Sequence, residues 1–373
     1  MIGGTGDVSS ASRGYLDTPS MGLPTRSTIE AMRSALDDWQ FGRAEHNEWE
    51  GAMESCRLLF AQICGCTADD VGLLPAIAPA VSAVAASVAR RGGTVVAHRQ
   101  EFRSLLLPVL AQVGPDRIRW VSGPYTAERF IRMVDDNTCA VVVSSVSSHD
   151  GGRLSLARLS ACCSAVDADL IVDGTQAAGI VLPDVPIQEL TAFVSAGYKG
   201  LRGPRGVAYA VARPDAVENF AAPSGYGMAD GTARGSYGPP LLPKRGAPGL
   251  DQSPAWLAWV GAEPALKELA AESAVEREGH VLGLATQLRN NMEEIELKPQ
   301  QTDLPSSIIS FASDNAESLV TQLASAGVRA AAKQGRVRFG LHIYNDGNDV
   351  DRASDVLLDI LRGTRRYLLP DNS

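Results

Sequence analysis

The feature that most constrains the fold is a pair of short apolar segments, each followed by polar side chains at a turn. Leu170–Asp173 has the composition of a buried strand and ends on a carboxylate, and Gln176 follows it. Ala192–Ser195 has the composition of a second strand and runs into a glycine turn that carries Lys199. Open α/β sheets bind their ligands at the carboxyl ends of the strands. We therefore expect Asp173, Gln176 and Lys199 to meet in one crevice.

An acid, an amide and a lysine that converge in this way indicate a pyridoxal 5'-phosphate (PLP) site. The lysine amine binds the aldehyde covalently, and a carboxylate keeps the pyridine nitrogen protonated so that the ring can accept electrons. We predict Lys199 as the catalytic residue, with Asp173 and Gln176 as cofactor ligands. The alternative is a solvated surface lysine, which is the usual state of this residue type.

Composition narrows the class of protein. With 373 residues, of which 45% are hydrophobic, the chain is long enough for two domains. A net charge of -9 argues against a nucleic-acid partner. No apolar run approaches the roughly 18 residues of a membrane helix, and the first residues lack the pattern of a signal peptide. For these reasons we expect a cytoplasmic protein. No metal site is expected, because no Cys-x-x-Cys pair occurs.

The chain resembles the class V aminotransferase family, which includes cysteine desulfurases, isopenicillin N epimerase-like enzymes and C–S lyases. The resemblance rests on Asp173-x-x-Gln176 and on the Gly-Tyr-Lys-x-x-x-Gly-Pro pattern at 197–204. It implies an α/β protein of PLP fold type I (aspartate aminotransferase-like), with a mostly parallel seven-stranded sheet in a large domain and a smaller C-terminal α/β domain. It also implies an amino-acid substrate and a homodimer with the active site at the interface.

The expected organisation has three parts. Residues 1–18 are an N-terminal lead-in, residues 19–252 form the large PLP-binding domain, and residues 253–373 form the small domain. Within the large domain, residues 223–244 are rich in Gly, Pro, Tyr and Ser and lack periodicity. The resemblance implies that this segment crosses the dimer interface.

The resemblance also implies further cofactor contacts. Phe102 stands where the family stacks a ring on the cofactor, although packing in the core would look the same in sequence. Ser148 stands where a residue bonds the phenolic oxygen, and Tyr198 resembles a phosphate-contacting neighbour of the lysine. Ser195 is one residue away from a serine position of the family.

The phosphate contacts depart from the family pattern. Ala78 and Pro79 lie at the start of a small-residue helix, where free backbone N–H groups bind anions. Relatives often carry threonines there, and a further threonine in a Gly-Thr-Pro motif reaches the partner's phosphate. Here Ala247 takes that position, so hydroxyl groups are missing at both places. We predict that Ala78, Pro79 and Ala247 contact the cofactor, and that backbone N–H groups and the dipole at the start of this helix hold its phosphate.

The substrate side is predicted from Arg338, which precedes a Tyr344-Asn345 pair as in the family. A guanidinium suits bidentate binding of the substrate carboxylate. Met21, Gly22 and Arg43 are further candidates for the substrate pocket. The alternatives are an ordinary strand-to-helix turn at Met21 and Gly22 and a solvated loop at Arg43.

One helix is predicted in detail. Ser27, with Glu30 three residues later, has the pattern of a capping box, and the helix is expected to begin there. Apolar residues then recur at helical spacing and are predicted to lie in the core. They are Ile29, Met32, Leu36 and Trp39.

The cysteines decide between reactions. A cysteine desulfurase needs a mobile cysteine in its C-terminal domain, but the corresponding segment, residues 327–335, contains none, and no cysteine follows Cys163. We therefore expect a C–S lyase that catalyses β-elimination from an S-conjugated cysteine, in small-molecule or antibiotic biosynthesis. Decarboxylation-dependent oxidative deamination, epimerisation, transamination and a non-catalytic role remain the alternatives.

Overall fold

A computed structural model describes residues 13–217, 224–229 and 241–368, with side chains as far as residue 363. Most of the predicted interface segment at 223–244 lies outside the described residues. Across the described ranges, every helix is too short or too polar to span a membrane.

A seven-stranded sheet forms the centre of the molecule, in the order β1-β7-β6-β5-β4-β2-β3. Only β7 runs opposite to its neighbours among these strands. The predicted α/β fold with a mostly parallel sheet is therefore confirmed. The strands are β1 (Val71–Leu74), β2 (Thr94–His98), β3 (Ile118–Val121), β4 (Thr138–Ser144), β5 (Asp169–Asp173), β6 (Ala192–Ala196) and β7 (Ala208–Ala212).

Both faces of this sheet are covered, because side chains of successive residues on a strand point to opposite sides. On β5, Val172 packs into one apolar core and Ile171 into the other. Helices line both cores, which accounts for strands that are apolar almost throughout. The helices of this part are α1 (Arg26–Gln40), α2 (His46–Cys64), α3 (Ile77–Arg91), α4 (Arg103–Val113), α5 (Ala127–Ile131), α6 (Leu156–Ala165), α7 (Pro214–Val217) and α8 (Trp256–Ala271).

A second, three-stranded antiparallel sheet has its own core. Its strands are β8 (Ile308–Ala312), β9 (Ala331–Ala332) and β10 (Arg336–Gly340), and α9 (Ala274–Glu294), α10 (Ala316–Ser325) and α11 (Gly347–Leu368) accompany them. Leu16, near the start of the described chain, is fully buried in this core. The N-terminal segment thus packs against the C-terminal part of the chain.

The helix α8 connects the two parts. Its Trp259 and Leu266 pack into the core that also holds Phe60 of α2 and Val172 of β5. The division of the chain at residue 253 stays a prediction.

The prediction for α1 is wrong in two respects. The helix begins at Arg26, and Thr25 caps it by accepting a hydrogen bond from the Thr28 N–H. Ser27 instead donates to Glu268 of α8. Three of the four residues predicted for the core are exposed on the single chain, since Ile29 exposes 36% of its surface, Leu36 47% and Trp39 63%. The fourth, Met32, is only partly buried.

Candidate active site

The carboxyl ends of β5 and β6 bring the predicted acid and lysine together. These strands run parallel, with Asp173 beside Val194. Asp173 ends β5, and the turn after β6 carries Lys199, whose side chain is buried with 4% exposed. Lys199 and Asp173 line the same small pocket, together with Gln176. The crevice expected from the two strand ends is therefore present.

The small pocket opens from a cavity of about 650 Å³. Lys199, Phe102 and Ser148 line both spaces. Tyr198 and Arg338 line the larger cavity, so the structure brings half of the predicted ligands of cofactor and substrate to one place.

Burial controls the charge of Lys199. The pKa of its amine is lowered to about 8, mainly because the side chain is removed from water; Asp173 opposes this shift, and the nearby Arg338 and Lys333 contribute to it. A lysine with this pKa has a substantial neutral fraction near pH 7 to 8, unlike a solvated lysine. The neutral amine is the form that attacks an aldehyde.

Asp173 is held by the turn that follows it. The Thr175 N–H donates to Asp173 Oδ1 at 2.8 Å. Burial raises the pKa of this carboxyl, while the hydrogen bonds from Thr175 and the charge of Lys199 pull it down. A buried carboxylate of this kind gains from a cationic partner, because pairing offsets the loss of hydration.

Phe102 presents its ring to the lysine. Lys199 Nζ lies 5.1 Å from the centre of the Phe102 ring, and that side chain is 41% exposed. An exposed phenyl ring at the wall of a cavity offers a flat apolar surface for stacking. Tyr198 lies on the lysine as well, with its ring centre 5.7 Å from Nζ.

A buried network that the sequence analysis missed supports Phe102. Glu101 accepts hydrogen bonds from Tyr125 Oη at 2.6 Å, from Ser144 Oγ at 2.6 Å and from the Phe102 N–H at 2.8 Å. Ser144 ends β4 directly beside Asp173. The sequence feature that could have predicted this network is Ser144, a serine at the end of an apolar strand.

Gln176 retains free hydrogen-bonding capacity. Its Nε2 donates to the Pro19 carbonyl at 3.0 Å. Its Oε1 is buried and has no hydrogen-bond partner among the described residues. An orphaned buried acceptor destabilises a protein by about 1–3 kcal/mol, so a donor from a bound group would remove that penalty.

Arg338 is 2% exposed and fixed on three sides. It donates to the Ser148 carbonyl, to Ser20 Oγ at 3.1 Å and to Asp17 Oδ1 at 3.4 Å. Burial lowers the pKa of this guanidinium, and Asp17 opposes the shift. Its Nε has no partner in the described part of the chain. Arg338 therefore presents a preorganised cation to the cavity.

Gly22 packs against the backbone of the turn that carries Lys199. Its N–H donates to the Tyr198 carbonyl at 2.9 Å. A Cβ at this position would lie 2.0 Å from the Lys199 carbonyl oxygen. Only glycine fits so close to that backbone, so Gly22 helps to position the turn that carries Lys199.

The remaining candidates do not line the cavity. Arg43 pairs with Asp38 on the surface, and Met21 is exposed beside the cavity residue Ser20. Ala78 and Pro79 lie in the first turn of α3. Ala247 is fully buried against Gly72.

The groups that do converge fit the predicted cofactor. A flat heteroaromatic ring between Phe102 and the pocket of Asp173 would place its aldehyde near Lys199. The unpaired Gln176 Oε1 and the buried Asp173 suit polar atoms of such a ring. These residues would hold PLP, and Arg338 lines the cavity beside them.

Comparison with solved structures shows where this fold occurs. A cysteine desulfurase from Thermococcus onnurineus NA1 matches with a TM-score of 0.78 and 16% identity, covering 94% of this chain and 95% of that one. The cystine C–S lyase C-DES, solved with its product cysteine persulfide, matches with a TM-score of 0.78 and 17% identity, covering 94% and 98%. The Escherichia coli cysteine desulfurase CsdA matches with a TM-score of 0.76 and 20% identity, covering 94% and 95%.

Sequence comparisons give the family. No curated protein sequence matches significantly. The family model for class V aminotransferases matches residues 15–353. A C-DES variant carries glycine covalently linked to its PLP cofactor, and PLP is the cofactor of the present chain as well. From the match over most of its length, together with the fold, this chain belongs to the class V aminotransferase family of PLP-dependent enzymes.

Proposed function

We propose that the protein is a C–S lyase that cleaves an S-conjugated cysteine by β-elimination and releases a thiol, pyruvate and ammonia. The observation that carries the proposal is a cavity that combines Lys199 and Arg338 and is lined by no cysteine among the described residues. A biosynthetic role in small-molecule or antibiotic pathways follows as part of the proposal.

Arg338 and Lys199 have different roles in the reaction. Arg338 binds the substrate carboxylate and thereby fixes the direction in which the Cα–H bond points. Lys199 Nζ removes that proton, which its lowered pKa of about 8 favours near neutral pH. When bound, PLP supplies an electron sink for the bonds at Cα. The C–S bond then breaks, its electron pair stays on sulfur, and the sulfur takes up a proton.

Product release needs one water molecule. The three-carbon unit that remains after C–S cleavage reacts with water and leaves as pyruvate and ammonia. Lys199 is then free to return to its resting position. The proton that it removed from Cα provides the proton for the departing sulfur.

The cysteines support elimination over desulfuration. A desulfurase transfers sulfur to a cysteine thiolate, so it requires an accessible thiol of low pKa. Burial raises the pKa of all six thiols here. None of them lines the cavity. Without a sulfur acceptor, the substrate's sulfur leaves as a thiol.

The test is to supply the purified holoenzyme with S-substituted cysteines and to assay pyruvate with lactate dehydrogenase. We expect pyruvate and thiol in equal amounts. Release of carbon dioxide and consumption of oxygen, without pyruvate, would instead indicate oxidative deamination. Loss of optical activity alone would indicate epimerisation. Holoenzyme that yields no pyruvate from any conjugate would refute the proposal.

We also propose a homodimer. Large apolar side chains are exposed on the single chain at the end of α1 and on α2, at Trp39, Phe41 and Leu58. Large apolar side chains that a single chain leaves exposed are candidates for a protein interface. Light scattering after size exclusion should give twice the chain mass of 39.4 kDa, and a Trp39→Glu variant should shift it towards the monomer.

A further inference from the structure

The cavity that contains Lys199 continues into a second cavity of about 480 Å³ that the proposed elimination does not use. Arg99, Gln100 and His149 line both of them and therefore mark the passage between the two. The second cavity is large enough for a group of many atoms, since a water molecule occupies about 30 Å³ of liquid.

Most of the residues that line the second cavity have polar side chains. Its remaining side chains that hydrogen-bond are His98, Ser122, Asp150, Gln300 and Arg336. The negative charge of Asp150 acts on Arg336, so part of the charge is balanced within the wall. Burial lowers the pKa of His98 and of His149, which keeps both rings neutral near pH 7. Such a wall offers many hydrogen-bond donors and acceptors.

The ring nitrogens of His149, which lies at the passage, make few hydrogen bonds. Its Nε2 lies 3.4 Å from Gln100 Nε2, which is long for a hydrogen bond. Its Nδ1 is buried and has no partner among the described residues. Both side chains therefore gain when a ligand with hydroxyl or amide groups reaches the passage.

We propose that the second cavity is the subsite for the substituent on the substrate's sulfur, and that His149 and Gln100 select substituents that are large and rich in hydrogen-bonding groups. The inference rests on the proposed elimination and names its substrate class. A small substituent leaves the second cavity empty. A hydrocarbon of the same size displaces water from polar walls and leaves their hydrogen bonds unmade, which disfavours it.

The experiment compares three probes, S-(β-D-glucopyranosyl)-L-cysteine, S-cyclohexyl-L-cysteine and S-methyl-L-cysteine. Their affinity for the holoenzyme is measured from the change in cofactor absorbance, and pyruvate is measured separately. We expect the glucosyl conjugate to bind at least about tenfold more tightly than either of the others, as expected for a few hydrogen bonds of about 1 kcal/mol each.

Two variants locate the subsite. Ser122→Trp fills the second cavity and His149→Phe keeps the ring while removing its nitrogens, so each should reduce the preference for the glucosyl over the methyl conjugate. Ser318→Trp on the exposed face of α10 is the matched control and should retain the preference.

Each outcome decides the proposal. Equal affinities for the glucosyl and cyclohexyl conjugates, no absorbance change with any probe, or an unchanged preference in both variants would overturn it. A preference that is present while no pyruvate forms would support the subsite and refute the elimination, so the two proposals fail separately.

Discussion

The two predicted halves of the cofactor site are built in different ways. At the amine end, Lys199, Asp173 and Phe102 line connected spaces at the carboxyl ends of neighbouring strands. At the phosphate end, Ala78 provides no hydroxyl, and Ala247 is buried away from the cavity.

The difference reflects what each half has to provide. The amine end needs particular side chains whose pKa values are set by burial and neighbours. An anion, in contrast, is held by free N–H groups at the start of a helix, and every residue type except proline supplies one. The side chains of α3 are therefore less constrained than those around Lys199.

The largest expected effect comes from the amine end. Lys199→Ala removes the group that captures the cofactor and moves the Cα proton, so activity should fall at least about 10²–10⁴-fold. Mass spectrometry after borohydride reduction should find no cofactor attached to the variant. Lys267→Ala, on the surface of α8 and paired with Glu263, is the control and should be labelled like the parent. Labelling of the Lys199 variant at full yield would refute the assignment.

Crowding the lysine turn should have the next largest effect. In Gly22→Ala the new Cβ meets the Lys199 carbonyl oxygen at 2.0 Å, and relieving such overpacking typically requires about 1–3 kcal/mol. The variant should melt at a lower temperature and bind PLP more weakly. Gly283→Ala, which meets nothing within 4 Å, should not destabilise the protein. Equal melting temperatures for both variants would show that the turn can move.

The pH dependence of cofactor capture tests the electrostatics of the amine end. Because burial lowers the pKa of Lys199 to about 8, the neutral amine increases about tenfold for each pH unit below that value and then levels off. The rate at which apoprotein acquires PLP absorbance should follow this curve. A rate that keeps rising well above that pH would mean that Lys199 has the ordinary pKa of a lysine.

The smallest effect is expected at the phosphate end. Ala78→Thr adds a hydroxyl where the family often has one, and one hydrogen bond of about 1 kcal/mol corresponds to roughly fivefold tighter PLP binding. Pyridoxal, which lacks the phosphate, is the matched control and should bind both proteins equally. Improved binding of both compounds would show that residue 78 acts elsewhere than on the phosphate.

The sequence by itself determined the sheet and the polar groups at its edge. Apolar segments that end on Asp173 or lead to Lys199 predicted both strands and their meeting point, because strand period and strand-end position are local properties. The pattern around Arg338 placed a buried guanidinium in the same cavity. The prediction for Arg338 came from the resemblance to the family and not from local periodicity.

Only the tertiary structure decided which surfaces are covered. Leu36 and Trp39 have helical spacing, yet they are exposed, because the spacing predicts a common face and not what packs on it. Thr25 rather than Ser27 caps α1, since Ser27 bonds Glu268 of α8. The second cavity likewise depends on contacts between distant parts of the chain, because Gln100, His149 and Gln300 come together only when the two sheets pack.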